Sequence, residues 1–208
     1  MDKVTEFKME GETPRNRVLA SEEYSAFLEN SPRWLRRAIV MAWETALSRS
    51  DVFRLTWSEI DTNEGIIELK AGRGKTAKPQ AIPIFTPELQ ALISELHAER
   101  RRVPNVDGLV LTIDGQPIDE LKFEYHFRKA RKTTKIKNFT FHDLRHCAIT
   151  RWVAAGVPTA AAMLAAGHSS VASHKRYQNL SKSDLKAAFG VLTARSQEKT
   201  ERGESAAS

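Results

Sequence analysis

Residues 138–180 contain the side chains whose types and spacing could do chemistry. The stretch opens N-F-T-F-H-D-L-R-H and closes A-A-G-H-S-S-V-A-S-H-K-R-Y-Q-N-L. It sets His142, Arg145 and His146 at i, i+3 and i+4, then His168 after Gly167, then Tyr177 nine residues further on. A guanidinium forks onto phosphate oxygens. An imidazole donates to such an oxygen or manages a proton near neutral pH. A phenol can serve as a covalent nucleophile once its surroundings offset its high pKa. Together these groups form a kit for attacking a phosphodiester without a metal. Each alone reads more simply as structure: His146 as a hydrogen-bonding core histidine, His168 as a turn residue, Tyr177 as helix packing. The combination, in this order and spacing, is hard to obtain from packing alone.

The elements that must position these groups are mostly helical. Helices are expected over 21–29, with Ser21 as N-cap, from Pro32 to about 46, from about Ser48 to Leu55, and over 86–102, 119–132 and 142–155. A short Ala-rich helix follows Pro158 and stops at Gly167; another carries Tyr177, and a last one covers 183–194. On the helix from His142, the residues Leu144, Cys147 and Ala148 fall opposite the polar side, where a core would lie. Strands are expected at 65–70 and 81–85, with a short extended piece at 108–112 and a turn at Asp114-Gly115. The fold class is therefore mainly α with a small antiparallel β-sheet. The two strands flank A-G-R-G-K-T-A-K-P, a basic hairpin tip. Its Gly-Lys-Thr is not a P-loop, because Leu69 stands where the earlier glycine is required and no helix follows. A basic hairpin pressed toward DNA is the functional reading; a plain turn is the alternative.

The 41% hydrophobic content suffices for a core in one large domain or two small ones. No apolar run approaches the ~20 residues of a membrane span, and the charged N-terminus lacks an apolar signal core. A cytoplasmic location follows by default. The single cysteine, Cys147, excludes an internal disulfide framework and a multi-Cys zinc site, and its place in a helical pattern suits a buried, inert thiol. His142 and His146 have metal-ligand spacing, but Arg145 between them would repel a dication, so no metal is expected. Lys and Arg number 32 against 26 Asp and Glu, a net charge of +6. The positive charge clusters at Arg33, Arg36 and Arg37, at Arg100–Arg102, and over 122–137, where Lys129, Arg131, Lys132 and Lys135 stand out. Three clusters favour a phosphate-tracking surface over solvated helix faces.

These motifs resemble the catalytic domain of the tyrosine recombinase, or phage integrase, family. H-D-L-R-H matches the family's His-x-x-Arg box, and Ala166-Gly-His-Ser-Ser matches its Leu-Gly-His-Ser box. Tyr177 falls at the nucleophile's position in a Lys-Arg-Tyr-Gln-Asn-Leu context. Upstream, Arg17-Val-Leu-Ala-Ser-Glu-Glu looks like the start of the catalytic domain. Gly-Lys-Thr-Ala-Lys-Pro before Ala81-Ile-Pro-Ile looks like its second β-hairpin, which places the family's lysine at Lys75. The resemblance covers about 17–190. It departs at Thr45-Ala-Leu-Ser-Arg-Ser-Asp51, where the family has Thr-Gly-x-Arg-x-x-Glu. Counted back from Asp51 and Trp57, the first arginine's position holds Ser48. Arg49 is adjacent, but one helical step turns a side chain by about 100°, so it should aim elsewhere. The chain also has no room for the separate N-terminal DNA-binding domain usual in such recombinases, and reads as a fragment or a minimal member.

The polar, charged stretches 1–16 and 196–208 read as a loose arm and a disordered tail, and the resemblance implies a catalytic domain at 17–195 between them. It implies double-stranded DNA as partner, a tetramer on DNA with 183–194 contacting neighbouring protomers, no cofactor, and a bacterial or phage origin. Tyr177 would form a 3′-phosphotyrosyl bond and release a 5′-hydroxyl. Arg145 would clamp the non-bridging oxygens, His142 would orient the phosphate or take the tyrosine proton, His168 would hydrogen-bond the phosphate, and Lys75 would protonate the leaving oxygen. Arg73, Lys78, Lys129, Arg131, Lys132, Lys135, His146 and Lys175 are the DNA-binding candidates. Ser48 cannot replace a guanidinium, so the expected enzyme is impaired. A catalytically inactive DNA-binding regulator of the same fold and a type IB topoisomerase are the alternatives.

Overall fold

The computed structural model describes residues 17–70, 79–100 and 108–167. The expected arm, the tail, the Tyr177 helix and the helix at 183–194 lie outside the described residues. Helices α1 (Ser21–Glu29), α2 (Arg33–Thr45) and α3 (Arg49–Arg54) come first, then a 3₁₀ turn, Trp57–Glu59. Strands β1 (Ile60–Asp61), β2 (Ile66–Leu69) and β3 (Gln80–Pro83) follow. Helices α4 (Pro87–Arg100), α5 (Glu120–Thr133), α6 (Phe141–Ala154) and α7 (Thr159–Ala166) complete the described part.

Helix α2 is the central element. Leu35, Ala38, Ile39, Met41 and Ala42 are all fully buried, and α2 packs against α1, α3, α4, α5 and α6. The alanines let neighbouring helices approach closely, and Trp43 fills the flank by stacking on Tyr24 at 4.0 Å. Burial, then the charge of Glu44, raises the Tyr24 phenol pKa. Helix α2 ends in a left-handed residue, Ala46 (φ 56°, ψ 17°), whose N–H still reaches Ala42 O at 3.0 Å. In the same core, aromatic rings join α1, α5 and the start of α6: Phe27 meets Phe139 edge-on at 6.0 Å, and Phe123 meets Phe141 at 5.4 Å. Cys147 is fully buried and receives the Leu19 N–H at 3.4 Å; burial pushes its thiol up to about 11. That is the inert thiol the sequence implies.

The sheet is antiparallel in the order β1-β2-β3, with Ile67 opposite both Ile60 and Ile82. Strand β1 was not expected; two residues are too short for alternation to register. The piece at 108–112 does not join the sheet. It pairs instead with the chain after α3, through Trp57 N to Gly108 O at 2.9 Å and Val110 N to Leu55 O at 2.8 Å. Asp114 and Gly115 form the expected turn, both with positive φ (52° and 79°). The N-cap of α1 is Ala20 rather than Ser21, because Glu23 reaches back to the Ala20 N–H at 3.1 Å while Arg17 holds the same carboxylate at 2.5 Å.

One basic cluster proves structural. Arg33 and Arg37 of α2 pair with Glu95 and Glu99 of α4 at 2.6–2.8 Å, and Arg36 donates to Leu28 O at 3.0 Å. Burial alone would lower the Arg37 pKa, but its hydrogen bonds to Glu99 and Glu95 raise it overall. Arg100 lies over Trp57, 5.5 Å from the ring centroid, and its neighbours at 101 and 102 lie outside the described residues. Among the described residues no helix is long and apolar enough to cross a membrane.

Candidate active site

Helix α6 starts where it does because Thr140 and Asp143 cap it. The buried Asp143 carboxylate accepts the Thr140 N–H at 2.6 Å and its hydroxyl at 2.8 Å. This fixes the first turn, and with it the direction in which His142 and Arg145 leave the helix. The Thr-x-x-Asp spacing is a capping signal that the sequence reading passed over. His142 is exposed; Arg145, one turn on, is half-buried; His146 is buried, at 9% exposure. His146, one of the DNA-binding candidates, is thus among the buried residues of the helix.

Arg145 is the junction of the site. Its guanidinium donates to Ala46 O at 2.7 Å and, through its other terminal nitrogen, to Ala166 O. Both acceptors sit at helix C-termini, those of α2 and α7, where the helix dipole favours a cation. Helix α7 closes on Gly167 in the left-handed region (φ 63°), with its N–H on Leu164 O at 3.1 Å. A Cβ at 167 would lie 2.6 Å from Gln80 Nε2, so the start of β3 abuts this turn. The structure thus brings together the end of α2, Arg145, the Gly167 turn and the strand that leaves the basic hairpin. His168, Tyr177, Lys75, Arg73, Lys78 and Lys175 lie outside the described residues.

Ser48 is the N-cap of α3. Its hydroxyl donates to Asp51 Oδ2 at 2.5 Å, and its oxygen faces the Asp51 N–H at 3.3 Å. Arg49 turns toward α5, as one helical step requires. It pairs with Glu124 at 2.6 Å and Glu120 at 3.8 Å, and its guanidinium lies 5.3 Å from the Phe123 centroid. Ser48, Arg49, Glu124, Arg128 and His142 nevertheless line one cleft of about 470 Å³. A depression of about 490 Å³ adjoins it, walled by Arg128, Arg131, Lys132, Lys135 and Lys137. Lys129, Lys132 and Lys135 are exposed. Arg131 instead ties α5 to the chain before α6, donating to Phe139 O at 2.5 Å. Among the described residues no group of three or more His, Cys, Asp or Glu could hold a metal ion.

Comparison with known proteins identifies the family and the fold. Residues 17–184 match the model of the phage integrase family. The integrase of Salmonella phage P22 is 23% identical over 176 residues, covering 82% of this chain and 46% of its own. A shufflon-specific DNA recombinase of Escherichia coli is 26% identical over 79% of this chain and 40% of its own. The tyrosine recombinase XerC of Corynebacterium glutamicum is 22% identical over 83% and 58%. The chain therefore spans about half the length of these relatives. Among solved structures, the XerA recombinase superposes with a TM-score of 0.67 at 22% identity, covering 85% of this chain and 65% of that one. The Tn1549 transposon integrase, in complex with circular intermediate DNA, gives 0.67 at 20% identity, covering 87% and 67%. With a family match that spans most of the sequence, and with this helical fold and small antiparallel sheet, the chain belongs to the phage integrase family and carries a tyrosine recombinase catalytic domain.

Proposed function

We propose that this domain breaks and rejoins double-stranded DNA through a covalent bond to Tyr177, at a rate limited by the lack of a guanidinium at position 48. The observation that carries this is the setting of Arg145. It is braced against two helix C-termini, one turn from an exposed His142 that opens on a cleft bordered by basic residues. In the proposed step the Tyr177 oxygen bonds to phosphorus as the bond to the 5′-oxygen breaks, and Lys75 supplies the proton to that oxygen. Arg145 and His168 hold the non-bridging oxygens, and His142 orients the phosphate or takes the phenolic proton. A 5′-hydroxyl from another strand reverses the reaction, so no external energy source is consumed. Lys129, Lys132 and Lys135 hold the DNA backbone, and protomers act together as a tetramer on two duplexes.

The left-handed Ala46 supports the register that puts Ser48 at the first arginine's position, since Ala46 stands where the family has glycine. One well-placed donor at a reacting oxyanion is worth about 3–4 kcal/mol, or 10²–10³ in rate. Trapping on nicked DNA carrying the candidate site tests the proposal with three proteins: the parent, Ser48→Arg and Tyr177→Phe. A weak adduct in the parent, a stronger one in Ser48→Arg and none in Tyr177→Phe is expected. Because Ser48 also caps α3, Ser48→Arg should lose about 0.5–2 kcal/mol of stability, so rates are compared well below its melting temperature. If Ser48→Arg makes no more product than the parent, position 48 does not limit the reaction. The capping role of Ser48 favours one second reading, a DNA-binding regulator that has given up catalysis; DNA binding with no adduct in any variant selects it.

A further inference from the structure

The cleft to which Ser48 brings no charge already holds guanidinium groups, and that of Arg49 is next to Ser48 in sequence. Arg49 lines it together with Ser48 and His142. The Ser48 hydroxyl is committed to Asp51 and brings no charge. Arg49 is bound to an anion, the Glu124 carboxylate, which lines the same cleft. We propose that Arg49 supplies part of the phosphate contact the absent arginine would make, and that Glu124 is an internal competitor holding it on α5 until a DNA phosphate enters. The proposal rests on the reading of this cleft as the site of strand cleavage.

Three features of the pair support exchange. The Arg49 side chain is 37% exposed and that of Glu124 is 62% exposed, so solvent screens the pair and little holds it closed. The second carboxylate, Glu120, stands off at 3.8 Å with 76% exposure and adds no tight clamp. A phosphodiester offers the same two-oxygen edge to the guanidinium fork as a carboxylate does, so one anion can replace the other without a change of geometry. The unpaired Glu124 charge would then repel the same phosphate. That makes Glu124 a brake on the site as well as a rival for Arg49. The Phe123 ring beneath the guanidinium gives the side chain a platform over which to shift.

The test compares the parent with Glu124→Gln, Arg49→Ala, Arg49→Lys and Glu124→Gln/Arg49→Ala. Two quantities are read: the rate of adduct formation on nicked duplex, and the slope of log binding constant against log salt for the same duplex. Glu124→Gln should speed adduct formation severalfold, a gain that misfolding cannot produce. Arg49→Ala should slow it severalfold and flatten the salt slope by about one unit, and the double variant should regain only the part of the rate that repulsion by Glu124 costs. Arg49→Lys should recover the slope but not the rate, because it keeps the charge without the fork. Rates and slopes equal to the parent's in Glu124→Gln and Arg49→Ala would overturn the proposal. If no protein forms an adduct, the slope decides. A flattened slope keeps Arg49 on the phosphate and sinks strand cleavage instead; an unchanged slope sinks both.

Discussion

At the scale of single residues, the site is built from side chains that each carry two duties. Arg145 orders two helix ends and, in the proposed step, also holds the phosphate. Ser48 caps α3 in the place where a guanidinium would act. Ala46 turns the chain out of α2 in a conformation that costs a side chain about 1–2 kcal/mol and glycine nothing. Ala46→Gly should therefore stabilise the domain by about 1 kcal/mol, a rise of about 2–4 °C in melting temperature for a chain of this size; an unchanged or lower melting point would show that the strain is relieved elsewhere. The helix that carries His142 and Arg145 was legible because its apolar residues recur with helical spacing and Gly156 follows its end. The bend at Ala46 was not, because alanine, the best helix former, carries no stop signal. The hold of Glu124 on Arg49 was equally hidden, since 75 residues separate the two in sequence.

At the scale of elements, charge patterns misled where apolar patterns did not. Helices α2, α4, α5, α6 and α7 fall close to where periodicity and the Pro and Gly stops put them. Arg33 and Arg37 read as a nucleic-acid surface because an i, i+4 pair of cations shows nothing of what faces it. What faces it is a second i, i+4 pair, Glu95 and Glu99, so the cluster is a clasp between α2 and α4. Hydrogen bonds from Arg37, ahead of the opposing cost of burial, hold both carboxyls below their ordinary range. A depressed carboxylate adds stability above its unfolded pKa, near 4.3, and loses it as pH falls through the folded value. Glu99→Gln should thus lower the denaturation midpoint at pH 7, by up to about 1 kcal/mol given the exposure of the pair. The difference from the parent should close as the pH falls through the depressed folded value. A difference that persists in acid would assign the effect to packing rather than charge.

At the scale of the whole molecule, one core runs from Leu19 to Ala166 through every described helix, and the site lies where three chain segments far apart in sequence meet at Arg145. Local patterns in the sequence name those segments; only the fold shows that a guanidinium fastens them. The consequence is dynamic. If Arg145 is the fastener, fraying at the end of α7 and loss of the arginine's readiness for phosphate are a single event rather than two. Amide hydrogen exchange should report it, because local openings of this kind set exchange rates. Replacing Arg145 with Lys, which cannot span both carbonyls, should speed exchange at Ala46 and at Gly167 together while leaving the middle of α2 protected. Faster exchange at only one of the two would mean that the helix ends open independently. Where they open together, the proposed phosphate-binding arginine is ready only as often as two distant turns close in step.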